Sequence, residues 1–170
     1  MPLLIETERL RIRPWTFDDV AAVLEIYGDP DVGRHLGGFR EPDADLAAAR
    51  ARLERWQERF TPIAPLGLLA VEPTSGGTPI GGIGLVPLSD SDDIEIAYHF
   101  AKRAWGQGFA TEATRAVVSW GFESLGLDRV LGLVHPDNRA SARVLEKVGF
   151  QPLGKRQLEG ETFDQYVRTP

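Results

Sequence analysis

The chain of 170 residues contains no cysteine and a single methionine. Without cysteine it can form neither a disulfide bond nor a thiolate metal site, and it cannot use a cysteine nucleophile. No apolar run approaches the roughly 18 residues that a membrane-spanning helix requires. The first residues reach Glu6 without a basic flank, so they do not resemble a signal peptide. These absences predict a cytoplasmic protein without a membrane partner.

Basic residues are in the minority, with 19 Lys and Arg against 25 Asp and Glu and a net charge of -6. A broad footprint on a nucleic-acid backbone is therefore not expected. The three histidines, His35, His99 and His135, lack the spacing of metal ligands, so no metal is predicted. The length suits one domain with a full core. Because no internal repeat or linker interrupts the chain, we predict a single domain over residues 1–170.

Apolar residues recur at alternating positions in some segments and at helical spacing in others. The run from Leu10 to Arg13, for example, alternates as a half-buried strand does. The fold class predicted is α/β (α+β), with about seven strands and about four main helices. Strands are predicted at residues 10–13, 66–71, 80–86, 94–100, 129–134, 150–157 and 162–168. Helices are predicted at residues 16–27, 42–60, 110–125 and 138–147, with a short one at 31–36.

A glycine turn containing Gly106 and Gly108 separates a predicted strand from the next helix. Such a turn leaves unpaired amides and the positive end of the helix dipole where a phosphate can bind. It is not a P-loop, because the chain has no Gly-x-x-x-x-Gly-Lys-Ser/Thr run. The dinucleotide fingerprint also fits poorly, since Thr111 stands where its third glycine belongs and Asp128 precedes a strand instead of ending one. A nicotinamide-dependent oxidoreductase remains an alternative, which NAD binding would reveal.

The turn and its surroundings are similar to the pyrophosphate loop of the GNAT superfamily of acetyl-CoA-dependent N-acetyltransferases. Trp105-x-x-Gly108-x-Ala110 supplies the motif, and Thr-Glu-Ala follows it. The family usually has Arg or Gln where this chain has Trp105. Tryptophan there resembles the branch that acetylates the N-terminal alanines of ribosomal proteins. Residues 5–14 and 138–150 carry the same resemblance, which therefore spans nearly the whole chain.

The resemblance implies the GNAT fold, a mixed sheet in which strands 94–100 and 129–134 run parallel and splay apart. The gap between them would hold the pantetheine arm of acetyl-CoA, the implied cosubstrate. An alternative interpretation is that the turn only packs a helix on the sheet, with Trp105 as a packing residue. The residues that the resemblance assigns to cofactor binding are Phe100, Ala101, Lys102, Trp105, Gly106, Gln107, Gly108, Phe109, Ala110, Thr111, Asn138 and Ser141.

Asn138 and Ser141 lie three residues apart at a predicted helix start, hence on one face. Asn138 is equally suited to be the N-cap of that helix. Many GNAT members place a tyrosine seven residues after this asparagine as the acid for the leaving thiolate, but this chain has Leu145. The branch resembled above has a serine three residues after the asparagine, which Ser141 matches. We therefore hypothesise that Ser141 hydrogen-bonds or protonates the leaving sulfur.

The candidates for the general base are Glu95, His135 and His99. Glu95 lies where several GNAT enzymes carry a catalytic glutamate, although an exposed strand glutamate is an equal interpretation. A bulge expected in the strand 94–100 would reverse the alternation, so the face of Glu95 stays open. His135 ends its strand beside the expected thioester and is preferred to His99.

The sequence thus predicts transfer of an acetyl group from acetyl-CoA to a primary amine by direct attack on the thioester. The amine could belong to a protein N-terminus or to a small molecule. Leu145 keeps one alternative open, a catalytically weak acyl-CoA-binding sensor or partner-binding module. We expect residues 30–41 to determine which amine is accepted. The amino-acid sequence of this segment does not identify that amine. Both a monomer and a homodimer are compatible with the sequence.

Overall fold

The computed structural model describes residues 3–35, 42–59 and 65–170. The strands are β1 (Ile5–Glu6), β2 (Leu10–Arg13), β3 (Gly67–Pro73), β4 (Gly81–Pro87), β5 (Ile94–Phe100), β6 (Val130–Val134), β7 (Gln151–Leu158) and β8 (Glu161–Arg168). The helices are α1 (Val20–Tyr27), α2 (Pro30–Gly33), α3 (Leu46–Arg59), α4 (Phe109–Leu125) and α5 (Arg139–Val148). All eight strands belong to one sheet, in the order β1-β2-β3-β4-β5-β6-β8-β7.

The predicted mixed α/β architecture is confirmed, with differences at the ends of elements. The eighth strand is β1, whose two residues are too few for alternation to reveal. The helix predicted at 31–36 is the four-residue α2, and Leu36 lies outside the described residues. α3 begins at Leu46 because the Asp45 carboxylate caps it, accepting from the amide of Ala48 at 2.9 Å.

β5 and β6 are parallel and separate almost at once, as predicted. β4 pairs with β5 along its whole length, whereas β5 pairs with β6 only at Glu95 and Leu131. Beyond that pair the two strands diverge toward their carboxyl ends. The gap leaves backbone groups along the facing edges without a strand partner, which is where an extended ligand can pair.

The expected bulge in β5 is wrong. Pairing with β4 is continuous from Phe100 opposite Gly81 to Ile94 opposite Pro87, without a register shift. Alternation therefore assigns the faces directly. Tyr98 shares a face with Phe100, and Glu95 lies on the opposite face.

A helical layer covers each face of the sheet. Val117 of α4 and Leu145 of α5 belong to the hydrophobic cluster on the face of Phe100. Ile26 of α1 and Leu53 of α3 belong to the cluster on the other face. Each fully buried side chain of this size contributes roughly 1.5–3 kcal/mol to stability. Both layers are thus packed firmly enough to hold the gap between β5 and β6 open from two sides.

Candidate active site

The gap between β5 and β6 opens into a cleft of about 1190 Å³. Ser141 lines it on the face covered by α4 and α5, and Glu95 and His135 line it on the other. The three predicted catalytic residues thus border one cleft, although they come from three different elements.

The glycine turn forms the start of α4 at one end of the cleft. Gly106 and Gly108 have φ angles of 71° and 80°, a left-handed conformation that favours glycine. Gly108 occupies the N-cap position and has no side chain with which to cap the helix. The amides of residues 109–111 therefore remain available to an anion at the positive end of a 17-residue helix. Phe109, Ala110 and Thr111, which are predicted to bind the cofactor, all line the cleft.

Arg9 fastens this turn to the start of the sheet. Its Nη1 donates to the carbonyl oxygen of Gln107 at 3.0 Å, and its Nε donates to Glu112 at 2.7 Å. Glu112 also accepts from the Thr7 hydroxyl at 2.6 Å. Partial burial opposes ionisation, but the hydrogen bonds from Thr7 and Arg9 prevail and hold the pKa of Glu112 below its ordinary value. The Arg9 guanidinium also lies 4.6 Å from the centre of the Phe109 ring.

The Arg9 clamp was not predicted, because both of its partners lie far away along the chain. The side chain of Gln107 is exposed, as expected, and donates to the carbonyl oxygen of Arg103 at 2.8 Å. Gln107 therefore helps to shape the turn, and its carbonyl is already bound to Arg9. The backbone amide of Gln107 is a donor that could contact a phosphate.

Trp105 fixes the end of β5 through its indole. Its Nε1 donates to the carbonyl oxygen of Phe100 at 2.7 Å, while 48% of the residue stays exposed. The ring therefore does more than pack against the sheet. This bond uses one lone pair of the Phe100 carbonyl oxygen, while the amide of Phe100 faces the gap.

The predicted backbone contact of Ala101 is not supported. Its amide donates to the Ile80 carbonyl at 2.9 Å and its carbonyl accepts from Ala104 at 2.8 Å. Alternate residues of an antiparallel strand direct their backbone groups to opposite sides. Since Ala101 faces β4, the backbone groups of Tyr98 and Phe100 face the gap. The backbone of Tyr98, unlike that of Ala101, is therefore directed toward the gap.

The side chain of Lys102 is held by α2. Lys102 is the last of the predicted backbone contacts at this end of β5. Its Nζ lies 2.6 Å from a carboxylate oxygen of Asp31. This hydrogen bond raises the pKa of Lys102 and lowers that of Asp31. Both side chains line the cleft, so a cation and an anion stand together at its rim.

At the start of α5, the Asn138 side chain accepts from the amide of Ser141 at 3.1 Å. Asn138 is therefore the N-cap, one of its two predicted roles. The Ser141 Oγ lies 2.8 Å from the phenolic oxygen of Tyr98, which also lies 3.1 Å from the Ser141 carbonyl oxygen. Burial raises the pKa of Tyr98 above its ordinary value. The contact of Tyr98 with Ser141 was not predicted. The one sequence signal for it is that Tyr98 lies on the same face of β5 as Phe100.

Leu145 packs where α5 comes closest to β6. It is 1% exposed, and a Cβ built on Gly132 would lie only 2.5 Å from its Cδ1. The leucine fills this contact with methyl groups. Position 145 therefore contributes to packing and supplies no acid to the cleft.

On the opposite face, Glu95 is half-buried beside the start of the gap. Burial raises its pKa to about 7, a shift that the positive charge of Arg156 partly offsets. A carboxyl group with this pKa can accept a proton near neutral pH. The expectation that Glu95 is merely an exposed strand residue is therefore not supported.

The histidines differ in their suitability as bases. The Nδ1 of His99 lies 3.0 Å from the Tyr27 hydroxyl, and burial, helped by the charge of Arg52, lowers the pKa of His99 to about 3. His99 is too weak a base to act near neutrality. His135 borders the cleft, and its ring centre lies 5.6 Å from that of His35. Burial and the nearby His135 lower the pKa of His35.

The predicted acceptor wall at residues 30–41 is described only as far as His35, and Arg34 and His35 both line the cleft. Residues 36–41 lie outside the described part of the chain. Within the described ranges, no group of three or more His, Cys, Asp or Glu residues could hold a metal ion. Among the helices of those ranges, none is both long enough and apolar enough to cross a membrane.

Comparisons with known proteins agree with this geometry. Residues 9–151 match the family model of an acetyltransferase (GNAT) domain. The chain is 32% identical over 155 residues to the uncharacterized N-acetyltransferase YoaA of Bacillus subtilis (strain 168), with 89% of this chain and 84% of that protein covered.

Two solved structures resemble the fold closely. A crystal structure of an acetyltransferase from Agrobacterium tumefaciens str. C58 has a TM-score of 0.80 and 27% identity, with 100% of this chain and 96% of that chain covered. Mycobacterium smegmatis RimJ, solved in complex with CoA-disulfide, has a TM-score of 0.81 and 18% identity, with 99% and 88% covered. At that identity, the likeness to RimJ concerns the fold alone.

Proposed function

This chain belongs to the GNAT acetyltransferase family, and from this premise we propose that it transfers an acetyl group from acetyl-CoA to a primary amine. The observation that carries the proposal is the position of the α4 amides at the mouth of the gap between β5 and β6. The diphosphate would bind these amides. The pantetheine arm would pair with the gap-facing backbone of Tyr98 and Phe100, which brings the thioester between Ser141 and the opposite face.

Groups on the two faces of the sheet would assist different steps of the reaction. The lone pair of the amine attacks the thioester carbonyl, whose π electrons move to oxygen. A backbone amide at the open edge of β5 would stabilise this oxyanion. Glu95 takes the proton that the amine loses, directly or through a water molecule. When the carbonyl re-forms, the carbon–sulfur bond breaks and its electron pair leaves on the sulfur beside Ser141.

The pKa of Glu95 favours acceptors that lose a proton easily. An α-amine has a pKa of about 8, so at pH 7 its deprotonation costs roughly 1.4 kcal/mol, whereas a lysine amine near 10.4 costs roughly 4–5 kcal/mol. A base with a pKa of about 7 suits the first amine much better than the second. Protein N-termini and small amines of similar pKa are thus the acceptor classes that we propose.

The test is thiol release from acetyl-CoA against a panel of free amino acids, polyamines and short peptides with different N-terminal residues. We expect release with at least one α-amine. Calorimetry with CoA should detect binding independently of the acceptor. Absence of CoA binding would overturn the proposal. Tight CoA binding without release for any amine would instead support the acyl-CoA sensor, the alternative that the leucine at position 145 keeps open.

A further inference from the structure

Tyr98 is the one tyrosine, of three in the chain, whose hydroxyl reaches the predicted leaving-group residue. Its side chain crosses from β5 to the first turn of α5. Tyr98 and Ser141 both line the cleft, and the Tyr98 hydroxyl lies 2.8 Å from the Ser141 Oγ. Among the described residues, α5 itself offers no phenol here, since Leu145 is packed on Gly132.

The hydrogen bonds of Tyr98 and Ser141 permit two arrangements, because each hydroxyl has one proton. In the first, Tyr98 donates to the Ser141 carbonyl at 3.1 Å, and the Ser141 hydroxyl donates back to Tyr98. In the second, Tyr98 donates to the Ser141 Oγ at 2.8 Å. Only the second arrangement frees the Ser141 proton to point into the cleft.

We propose that Tyr98 is a positioning residue that acts through Ser141, holding the serine hydroxyl so that its proton points at the departing sulfur. This inference rests on the proposed acetyl transfer. As the carbon–sulfur bond breaks, the growing negative charge on sulfur favours the arrangement in which Ser141 donates to it. Tyr98 then donates to Ser141, and a chain of two hydrogen bonds polarises toward the thiolate.

Full proton transfer along this chain is not required and would be unfavourable. A thiol has a pKa of about 8.5, below the value of about 10 for an ordinary tyrosine. Burial raises the pKa of Tyr98 further, so the phenol stays protonated while the sulfur is a thiolate. The thiolate therefore leaves as an anion stabilised by a hydrogen bond, and it takes its proton from water after release. Of the two roles suggested for Ser141, hydrogen bonding is thus favoured over protonation.

The direct test uses bound CoA and needs no acceptor amine. The pKa of the CoA thiol is measured in the complex from the ultraviolet absorbance of the thiolate, with desulfo-CoA as the blank. In the wild type it should lie below the value for free CoA. Tyr98→Phe, which keeps the ring, should raise it by about one unit, a tenfold change that corresponds to roughly 1.4 kcal/mol. The affinity for CoA at a pH where the thiol is protonated should not change.

Four further variants separate positioning from packing. Ser141→Ala should raise the thiol pKa, and Tyr98→Phe added to it should have little further effect. Ser141→Thr, which keeps a hydroxyl, should retain most of the wild-type value. Tyr166→Phe removes another buried phenol, outside the cleft, and should change nothing.

Turnover provides a second readout with the best amine of the panel. Tyr98→Phe should lower kcat about tenfold without changing KM for acetyl-CoA. An unaltered thiol pKa in Tyr98→Phe, additive effects of the two substitutions, or an equal shift in Tyr166→Phe would each overturn the inference. Failure of the wild type to bind CoA would instead overturn the proposed function.

Discussion

Arg9 and Glu112 form an ion pair of 2.6 Å that joins the first turn of the sheet to the first turn of α4. The arginine reaches the carbonyl of Gln107 with the same guanidinium. The turn that is proposed to bind the diphosphate is thus held by a side chain that lies 98 positions before Gln107 in the sequence. Its shape is set before any ligand arrives, which lowers the entropy cost of binding.

Replacement of Arg9 by alanine should weaken CoA binding about tenfold, because the turn loses both its tether and a positive charge near the phosphates. Calorimetry with CoA would measure this. Arg9→Lys should restore only part of the affinity, since a lysine cannot form the forked contact. The control is Arg11→Ala, which removes ion pairs with Glu6 and the largely buried Glu72 away from the turn. Equal losses in the two alanine variants would contradict a specific role for Arg9.

Alanine substitutions at Gly108 and Gly76 can distinguish the effect of backbone strain from that of blocking the ligand. Both have left-handed φ angles, 80° and 89°, so alanine at either position should lower the free energy of unfolding by roughly 1–2 kcal/mol. Only Gly108→Ala should also lower the affinity for CoA, by about tenfold or more, because its Cβ would occupy the space that a phosphate needs. Chemical denaturation and calorimetry on both variants make the comparison. Normal CoA affinity in Gly108→Ala would remove the turn from the binding site.

The loss of activity in the Glu95→Gln variant should grow as the pH rises through about 7, where Glu95 of the wild type ionises. Because the pKa of Glu95 is about 7, the wild-type rate with an α-amine should rise through this value as the carboxylate forms. The variant should be roughly 100-fold slower at pH 7 and should lack that inflection. The control is Glu123→Gln on the exposed side of α4. A pH–rate profile that keeps its inflection in Glu95→Gln would assign the base to another group, His135 first.

The same substitution should stabilise the fold at high pH. The pKa of Glu95 is raised from 4.5 to about 7, so the folded state holds its proton more tightly than the unfolded state does. The stabilisation that results from this tighter proton binding is fully present below about pH 4.5 and is lost as the pH rises to about 7. Above about pH 7, the ionised Glu95 lowers the free energy of unfolding by at most roughly 3 kcal/mol. Glu95→Gln should therefore gain stability over the wild type between pH 5 and pH 8, as denaturant titrations would show. Parallel stability curves would contradict the raised pKa.

The sequence predicts the parts of this protein that depend on local spacing. Local patterns located β5 and the glycine turn, and the resemblance suggested the roles of that turn, Asn138 and Ser141. The pair of Tyr98 and Ser141 could not be predicted, because its members are 43 positions apart and meet only through the packing of α5 on the sheet. The contact of Arg9 with Glu112 spans 103 positions. The expectation of a bulge in β5 rested on the family resemblance and not on a sequence pattern. The bulge is absent.

The close packing of Leu145 on Gly132 has a consequence for any attempt to redesign the leaving-group side of the cleft. A tyrosine at position 145 could not fit over Gly132 unless α5 moved outward from β6. Such a movement would carry the first turn of the helix with it and separate Ser141 from Tyr98. We therefore expect Leu145→Tyr to weaken the hydrogen bond between Tyr98 and Ser141, so that a phenol from the helix would be gained at the expense of the contact from the strand.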